Sequence, residues 1–111
     1  MDDKDIPTKP VSNWQPITNK ADLAILGKLA EELAEASAAV ARTIIQGIES
    51  INPDNGKLNR HWLEEEFADV RAMMDHAQIR FNLDQKRMNT RRMKKFDYKK
   101  PWFDTLIKEN K

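Results

Sequence analysis

Residues 29–36 read Leu29-Ala30-Glu31-Glu32-Leu33-Ala34-Glu35-Ala36, a run in which leucine and alanine are interspersed with glutamates. Residues three or four positions apart share one face of an α-helix. Glu32 and Glu35 therefore point in the same direction if this run is helical. The run predicts an amphipathic helix that carries a row of carboxylates along one side.

A longer helical pattern surrounds this run and extends from about Lys20 to Ile48. Thr18 and Asn19 are residue types that cap helix N-termini, and Asp22 then falls in the first turn. The apolar residues of the pattern recur every three or four positions. They are Leu26, Leu29, Leu33, Val40, Ile44 and Ile48. We therefore expect one long first helix with an apolar stripe.

A turn and a second helical pattern follow. The sequence Asn52-Pro53-Asp54-Asn55-Gly56 is typical of a turn, and a second helix is predicted from about Arg60 to Phe81. Phe67, Met73 and Met74 lie on its apolar side, and we interpret them as core residues. Because the connection is only about ten residues long, the two helices are expected to pack as an antiparallel pair.

The second helix carries its own acidic run, Glu64-Glu65-Glu66-Phe67-Ala68-Asp69. Glu66 and Asp69 share a face, so side-by-side packing brings them toward Glu32 and Glu35. Four carboxylates in one place repel one another and raise one another's pKa values. A hard divalent cation relieves this repulsion, and ligation by oxygen alone favours Mg²⁺ or Mn²⁺. The sequence thus predicts a metal site between the two helices.

The end of the chain is predicted to hold a third, shorter helix. Asp84 is placed to cap a helix from about Gln85 to Lys95, and Pro101 separates a last short segment. With no strand pattern, the fold class is all-α, a helical bundle of three main helices whose carboxylate-lined metal site is completed by oligomerisation. We divide the chain into an extended arm (1–18), a helical domain (19–96) and a basic, aromatic tail (97–111) that packs on the bundle or on a partner subunit.

Composition narrows the class of protein further. With 111 residues the chain forms one domain, whose small core makes oligomerisation a reasonable expectation. The absence of cysteine excludes disulfides, thiolate metal sites and a cysteine nucleophile. We see no signal peptide in residues 1–20 and no apolar run that spans a bilayer, so we expect a cytoplasmic protein without membrane contact.

The small net charge hides a strong asymmetry along the chain. Residues 1–85 carry 9 basic and 15 acidic side chains, a net charge of −6, whereas residues 86–111 carry 10 and 3, a net charge of +7. The acidic part suits a cation. The basic part suits an anion such as a triphosphate, or nucleic acid.

The two acidic runs together resemble the EExxE…ExxD signature of the MazG-like, all-α nucleoside triphosphate pyrophosphohydrolases. Glu31-Glu32-x-x-Glu35 matches the first part of that signature, and Glu66-x-x-Asp69 matches the second. Residues 29–36 are similar to the first motif helix of the family, and residues 65–70 are similar to the second. The resemblance covers approximately residues 20–96 and makes 19–96 a MazG-like helical domain.

The resemblance implies an enzyme that uses Mg²⁺, or Mn²⁺, to split a nucleoside triphosphate into the monophosphate and pyrophosphate. It also implies a helical bundle that forms a homodimer or a homotetramer. Carried over by motif position, the metal ligands are Glu32, Glu35, Glu66 and Asp69. Glu31 is the accessory carboxylate of the motif, and Glu31 or Glu35 accepts the proton of the attacking water as the catalytic base.

The same resemblance points to candidate substrate contacts. Members of the family hold phosphates with polar and basic side chains of the helix that follows the second motif. Trp14, in the N-terminal arm, is a candidate for stacking on the base. The candidates for phosphate binding in this chain are Lys86, Asn89, Arg91, Arg92 and Lys95.

Three other interpretations stay open at the level of sequence. The acidic runs can be solvated helix faces, for which Lys28 is available as a partner of Glu32. A MazG-like scaffold can bind nucleotide or a partner without hydrolysis. The basic tail, which interleaves Phe96, Tyr98 and Trp102 with lysines, is typical of nucleic-acid binding. Because that last interpretation leaves the acidic motifs unexplained, nucleic acid is not the expected partner.

Overall fold

The computed structural model of the protein describes residues 14–110, which form three α-helices. These are α1 (Lys20–Gln46), α2 (Asn59–Phe81) and α3 (Gln85–Glu109). No strand occurs within the described residues, where an isolated β-bridge joins Ile51 and Leu58. The predicted all-α class is confirmed, and the predicted bounds of α1 and α2 agree with the structure to within two residues. Most of the predicted arm, residues 1–13, lies outside the described residues.

Both ends of α1 satisfy their free backbone groups locally. The Asn19 side chain accepts hydrogen bonds from the N–H groups of Ala21 and Asp22 at 2.9 and 3.1 Å, as expected of an N-cap. At the other end, Gly47 has φ +97° and donates its N–H to the carbonyl of Thr43. A side chain on residue 47 would be strained in this conformation, so glycine is the residue that ends the helix here.

Two buried asparagines hold the loop between α1 and α2 in shape. Asn52 and Asn59 are 1% and 0% exposed, although both side chains are polar. The Asn52 side chain accepts from the N–H of Asp54 at 2.8 Å. The Asn59 amide donates to the Gln46 side chain and to the carbonyl of Gly47 at 3.1 and 2.9 Å. The start of α2 is thereby tied directly to the end of α1.

The N-terminus of α2 has no side-chain cap, and the loop backbone takes over this role. The N–H groups of Asn59 and Arg60 donate to the carbonyls of Ser50 and Ile48, both at 2.9 Å. These are two of the four N–H groups that a helix N-terminus leaves without a partner inside the helix. The entry direction of α2 is therefore set by the loop.

Ion pairs at both ends show that α1 and α2 run antiparallel, as predicted. Arg80, near the end of α2, contacts Asp22 and Asn19 at the start of α1. At the opposite end, Arg60 pairs with Glu49. The beginning of each helix therefore lies beside the end of the other, which fixes the register of the pair.

A tight turn separates α2 from α3. Asn82 adopts a left-handed conformation, with φ +51° and ψ +47°. The N–H of the next residue, Leu83, returns to the carbonyl of Gln78 at 3.0 Å, which completes a Schellman-type helix end. Asp84 then caps α3 by accepting from the N–H of Arg87 at 2.9 Å, as the sequence predicted.

The third helix is longer than predicted, because it runs through Pro101 without a break. The prediction of a helix that ends at Lys95 was therefore wrong. Proline removes one backbone donor and normally costs about 3 kcal/mol inside a helix. Side-chain contacts one turn apart span the proline: Lys100 pairs with Asp104 at 2.7 Å, and Thr105 donates to the carbonyl of Pro101 at 2.9 Å.

α3 projects away from the helix pair. Packing between helices is concentrated along α1 and α2, and no side chain of α3 is buried. The radius of gyration of 19.6 Å reflects this projection, because a compact chain of this size has a value of about 13 Å. The single chain is thus a helix pair with a protruding third helix. Residues 97–110 do not form a tail that packs on their own bundle, and packing on a partner stays a prediction.

The apolar core of the single chain is very small. Its buried apolar residues within the described part are Ala36, Ala39 and Ala77. Phe67 and Met74 were predicted to be core, but they are 46% and 41% exposed. That prediction is wrong for the isolated chain, because the two helices pack through small residues and leave the larger ones at the edge. None of the three helices combines the length and the apolarity that crossing a lipid bilayer requires.

Removing the Asn59 amide is expected to loosen the junction between α1 and α2. Asn59→Ala eliminates two buried hydrogen bonds, which together correspond to about 2 kcal/mol of unfolding free energy. Urea unfolding followed by circular dichroism measures the loss. Asn55→Ala is the matched control, because its side chain makes an exposed contact to the loop. Equal stability of the two variants would contradict the role assigned to Asn59.

Candidate metal centre

The register of α1 and α2 brings carboxylates of both acidic motifs together. Glu32 and Glu35 lie one turn apart on α1, and Glu66 faces them from α2. Each of the three offers a carboxylate oxygen, and these oxygens all lie within 4.8 Å of one another. We call this group the carboxylate cluster. It joins both halves of the sequence motif, as predicted.

Solvent exposure increases across the cluster, from a buried side to an open side. Glu32 is 7% exposed, Glu66 is half-buried and Glu35 is exposed. Glu32 and Glu66 each bury one carboxylate oxygen, Oε2, that has no hydrogen-bond partner. A buried carboxylate oxygen without a partner is costly, and a cation or its bound water supplies the missing interaction.

The donor set fits a hard divalent cation. All three groups offer oxygen only, which suits Mg²⁺ or Mn²⁺ rather than the softer metals that favour sulfur ligands. The exposed side of the cluster at Glu35 leaves room for the water ligands that Mg²⁺ normally retains. The orphaned oxygens of Glu32 and Glu66 are therefore the observation that supports a metal here.

The charges of the cluster act on Glu35. The negative charge of Glu32 is the main cause that raises the pKa of Glu35 above its ordinary value of 4.5. Partial desolvation and the charges of Glu66 and Glu31 raise this pKa further. Like charges at close range oppose ionisation, so the direction of the shift is the one expected of converging carboxylates.

Two lysines partly balance these charges. Lys28 lies 3.2 Å from both Glu31 and Glu32, and hydrogen bonds with these carboxylates raise its pKa. This is the pairing expected if the acidic run were a solvated helix face, but Lys28 contacts Oε1 of Glu32 and leaves the buried Oε2 without a partner. Lys57 pairs with Glu65 at 2.8 Å, which raises the pKa of Lys57.

The position of Lys57 was not predicted from the sequence. Its pKa is also raised, to a smaller extent, by the charges of Glu66 and Asp69, so it sits at the α2 side of the cluster. Lys57 belongs to the loop before α2, and its placement follows from the loop hydrogen bonds around Asn52. No spacing rule in the sequence links a loop lysine to a carboxylate eight residues later.

Two predicted acidic residues lie outside the cluster. Asp69 is exposed on α2, one turn beyond Glu66, and does not belong to the group of three oxygens. Glu31 is exposed on α1 and is engaged by Lys28 at 3.2 Å. Their predicted roles as a metal ligand and as an accessory carboxylate stay predictions.

The predicted substrate contacts do not lie at the cluster in a single chain. α3 starts four residues after the end of α2, which places it about 20 Å along the helix pair from Glu66, and it does not pack back. Trp14 is 92% exposed and precedes α1. The α3 residues in question, all solvent-facing, are Lys86, Asn89, Arg91, Arg92 and Lys95.

Comparison with models of known protein families, with curated proteins and with solved structures gives no match to this chain.

The raised pKa of Glu35 gives the metal-free protein a defined pH dependence. The folded state holds the Glu35 proton to a higher pH than the unfolded chain does. The associated stability is therefore present below pH 4.5, the ordinary pKa, and is lost as pH rises through the raised pKa. We expect the melting temperature in EDTA to fall over this interval, less steeply in Glu35→Gln.

Added Mg²⁺ or Mn²⁺ is expected to raise the melting temperature again at pH 7.5, because the cation binds the ionised cluster. Melting temperatures with and without metal, for the wild type and for Glu35→Gln, measure both trends. Glu49→Gln is the control, since Glu49 pairs with Arg60 far from the cluster. A metal response that is the same in all three proteins would show that the cluster does not bind the ion.

Proposed function

We propose that this protein is a Mg²⁺-dependent nucleoside triphosphate pyrophosphohydrolase, which releases a nucleoside monophosphate and pyrophosphate and so controls a nucleotide pool. The observation that carries the proposal is the meeting of Glu32, Glu35 and Glu66. These residues come from the two halves of a motif that resembles the MazG-like signature. Acidic residues on a solvated helix face point into solvent and are not expected to meet acidic residues of a second helix.

In this proposal the carboxylates hold the metal, and Glu35 also accepts the proton of the attacking water. Glu32, Glu35 and Glu66 hold the cation, with Asp69 as a further ligand from the next turn of α2. When bound, a divalent cation offsets the negative charge of a triphosphate and acidifies a water molecule. Glu35 stands at the open side of the cluster, where its exposed carboxylate is placed to accept a proton from the attacking water. Glu31, on the neighbouring position of the motif, is the alternative base.

The lysines beside the cluster are also assigned a role in the proposed reaction. Lys28 and Lys57 neutralise part of the acidic charge in the metal-free protein. Positive side chains near a polyphosphate also stabilise the charge that develops on the leaving pyrophosphate. The basic residues of α3 remain the candidates that the family resemblance assigns to phosphate binding.

We also propose that the protein works as a homo-oligomer built on the helix pair. Leu33 and Val40 follow the packed residues Glu32 and Ala39 on α1, just as Phe67 and Met74 follow Glu66 and Met73 on α2. One step along a helix turns a side chain by about 100°. Because the helices are antiparallel, this step turns both sets toward the same side of the pair.

The result is one apolar face on the helix pair, formed by large side chains that a single chain leaves half exposed. Leu33 and Val40 are 50% and 40% exposed, and Ile44 on the same stripe is 79% exposed. A second copy that presents the same face completes a four-helix arrangement, the usual solution for two amphipathic helix pairs. Such a dimer supplies the core that the single chain lacks.

Hydrolysis assays test the reaction itself. A panel of ribo- and deoxyribonucleoside triphosphates is incubated with Mg²⁺ or with EDTA, and the products are resolved. We expect metal-dependent release of pyrophosphate and monophosphate, with turnover reduced more than about a hundredfold in Glu32→Gln and Asp69→Asn. Circular dichroism checks that both variants keep their helices, and Glu49→Gln is the active control.

Normal turnover by both variants, or release of orthophosphate, would contradict the proposal. Binding of Mn²⁺ and nucleotide without turnover would instead favour a non-catalytic scaffold with the same site.

A charge placed on the apolar face is expected to separate the copies. Val40→Lys puts an unpaired ammonium into the buried interface, which should raise the dissociation constant at least about tenfold. Ile45→Lys is the matched control on α1, because Ile45 is 78% exposed and points away from that face. Sedimentation velocity over a range of protein concentrations measures the effect, and an equal response of both variants would contradict the assignment of the face.

A further inference from the structure

α3 presents a basic and aromatic surface that no other part of residues 14–110 covers. Over residues 85–109 it carries nine basic and three acidic side chains, a net charge of +6. Its aromatic residues Phe96, Tyr98 and Trp102 are 63%, 77% and 57% exposed. An isolated helix that exposes large apolar side chains in water gains stability only when a partner covers them.

The apolar and basic residues of α3 combine into one groove. Phe96 and Phe103 lie seven residues apart on one face and form its apolar floor. Lys99 and Lys100 stand on the two sides of this floor. The same surface also includes Arg92, Lys95 and Asp104. We call it the α3 groove.

α2 offers a surface of the opposite character. Its groove has Phe67, Ala68 and Ala72 as an apolar floor, and Glu64 and Asp75 as acidic ends, with Arg71 on its rim. Ala68 is two residues beyond Glu66 and therefore points about 200° away from it, so this α2 groove lies on the side opposite to the carboxylate cluster. Ala68 and Ala72 are small, which lets another helix approach closely.

We propose that the α3 groove of one copy of this chain docks on the α2 groove of a second copy. Phe96 and Phe103 then cover the alanine floor, and the basic side chains that run along the α3 groove from Arg92 to Lys100 face Glu64 and Asp75 at the two ends of the α2 groove. The two helices have similar lengths, 25 and 23 residues, or about 37 and 34 Å. α3 cannot make this contact within its own chain, because it leaves the end of α2 through the Asn82 turn and projects outward.

The charge complementarity also includes the single oppositely charged residue in each groove. The basic α3 groove contains one carboxylate, Asp104, and the acidic α2 groove contains one guanidinium, Arg71. Charge patterns that match in this way set partner choice and register more than affinity. The apolar floors supply the affinity, since each aromatic side chain buries about 150–250 Å².

Reciprocal docking closes the assembly. If each copy gives its α3 to the other, both grooves are used in both copies and neither groove is left free to bind a third copy. Two such contacts bring the buried area into the range of about 1,200–2,000 Å² that stable complexes use. The inference does not rest on the hydrolase activity. Phe67 lies at the edge that the α2 groove shares with the proposed four-helix face, whereas Ala68 and Ala72 lie outside that face. Docking on this side of α2 would replace phosphate binding as the role of Arg92 and Lys95.

Site-directed cross-linking tests the contact directly, because the chain contains no cysteine. Chains with Ala68→Cys or Ala72→Cys are mixed with chains that carry Lys99→Cys and are oxidised. Any disulfide between the two substituted positions then joins two copies. Lys94→Cys is the control, since residue 94 lies about 140° around the helix from residue 99. We expect the Lys99→Cys chain to give about ten times more mixed disulfide than the control.

Charge reversal tests the pairing of the two grooves, and the yield of mixed disulfide is again the measurement. Lys99→Glu with Lys100→Glu should lower the cross-linking of Lys95→Cys to Ala72→Cys about tenfold, and Glu64→Lys with Asp75→Lys should do the same. Chains that carry both reversals should recover the cross-link. Lys94→Glu with Lys108→Glu makes the same change of charge on the far side of α3 and should have no effect.

Equal cross-linking from residues 94 and 99, or no recovery when both reversals are combined, would overturn the proposal. A single-stranded oligonucleotide of about 20 nucleotides provides the competing outcome. Salt-sensitive binding that Lys99→Glu with Lys100→Glu abolishes, in a protein that forms no cross-link, would assign the α3 groove to nucleic acid instead.

Discussion

The antiparallel register of α1 and α2 is the constraint on which every other feature of this protein depends. It is held at one end by the Asn59 amide on Gln46 and Gly47, and at the other by Arg80 on Asp22. Within this register Glu66 falls opposite Glu32 and Glu35. A shift by one residue would turn Glu66 by about 100° and disperse the carboxylates. The polar contacts at the two ends of the pair therefore place the acidic residues in its middle.

Capping residues and the spacing of acidic residues made the helices and much of the carboxylate cluster predictable from the sequence. Asn19 and Asp84 cap the helices that they were expected to cap, and the spacing of Glu32, Glu35 and Glu66 required only that two helices meet. The place of Lys57 was not predictable, because it depends on how the loop folds around the buried Asn52. Three of the four expected ligands, Glu32, Glu35 and Glu66, lie in one group, whereas Asp69 lies outside it.

The errors of the sequence-based prediction have a common physical cause. Apolar periodicity shows that a face will be covered, but it does not say by which chain. Phe67 and Met74 were assigned to the core on this basis, and in a single copy they remain about half exposed. The third helix was expected to end at about Lys95, with Pro101 setting off a last short segment, yet α3 continues through Pro101 to Glu109. Both errors concern surfaces that the described residues of a single chain leave exposed.

The separation of α3 from the helix pair has a consequence for how this sequence can change over generations. Since α3 buries none of its side chains within its own chain, substitutions on it leave the folding of α1 and α2 nearly untouched. Selection on α3 then acts only through what it touches in an assembly. If α3 docks on a second copy, correlated substitutions between α3 and α2 in related sequences mark contacts between two molecules. Such pairs would be misassigned if they were interpreted as contacts within one molecule.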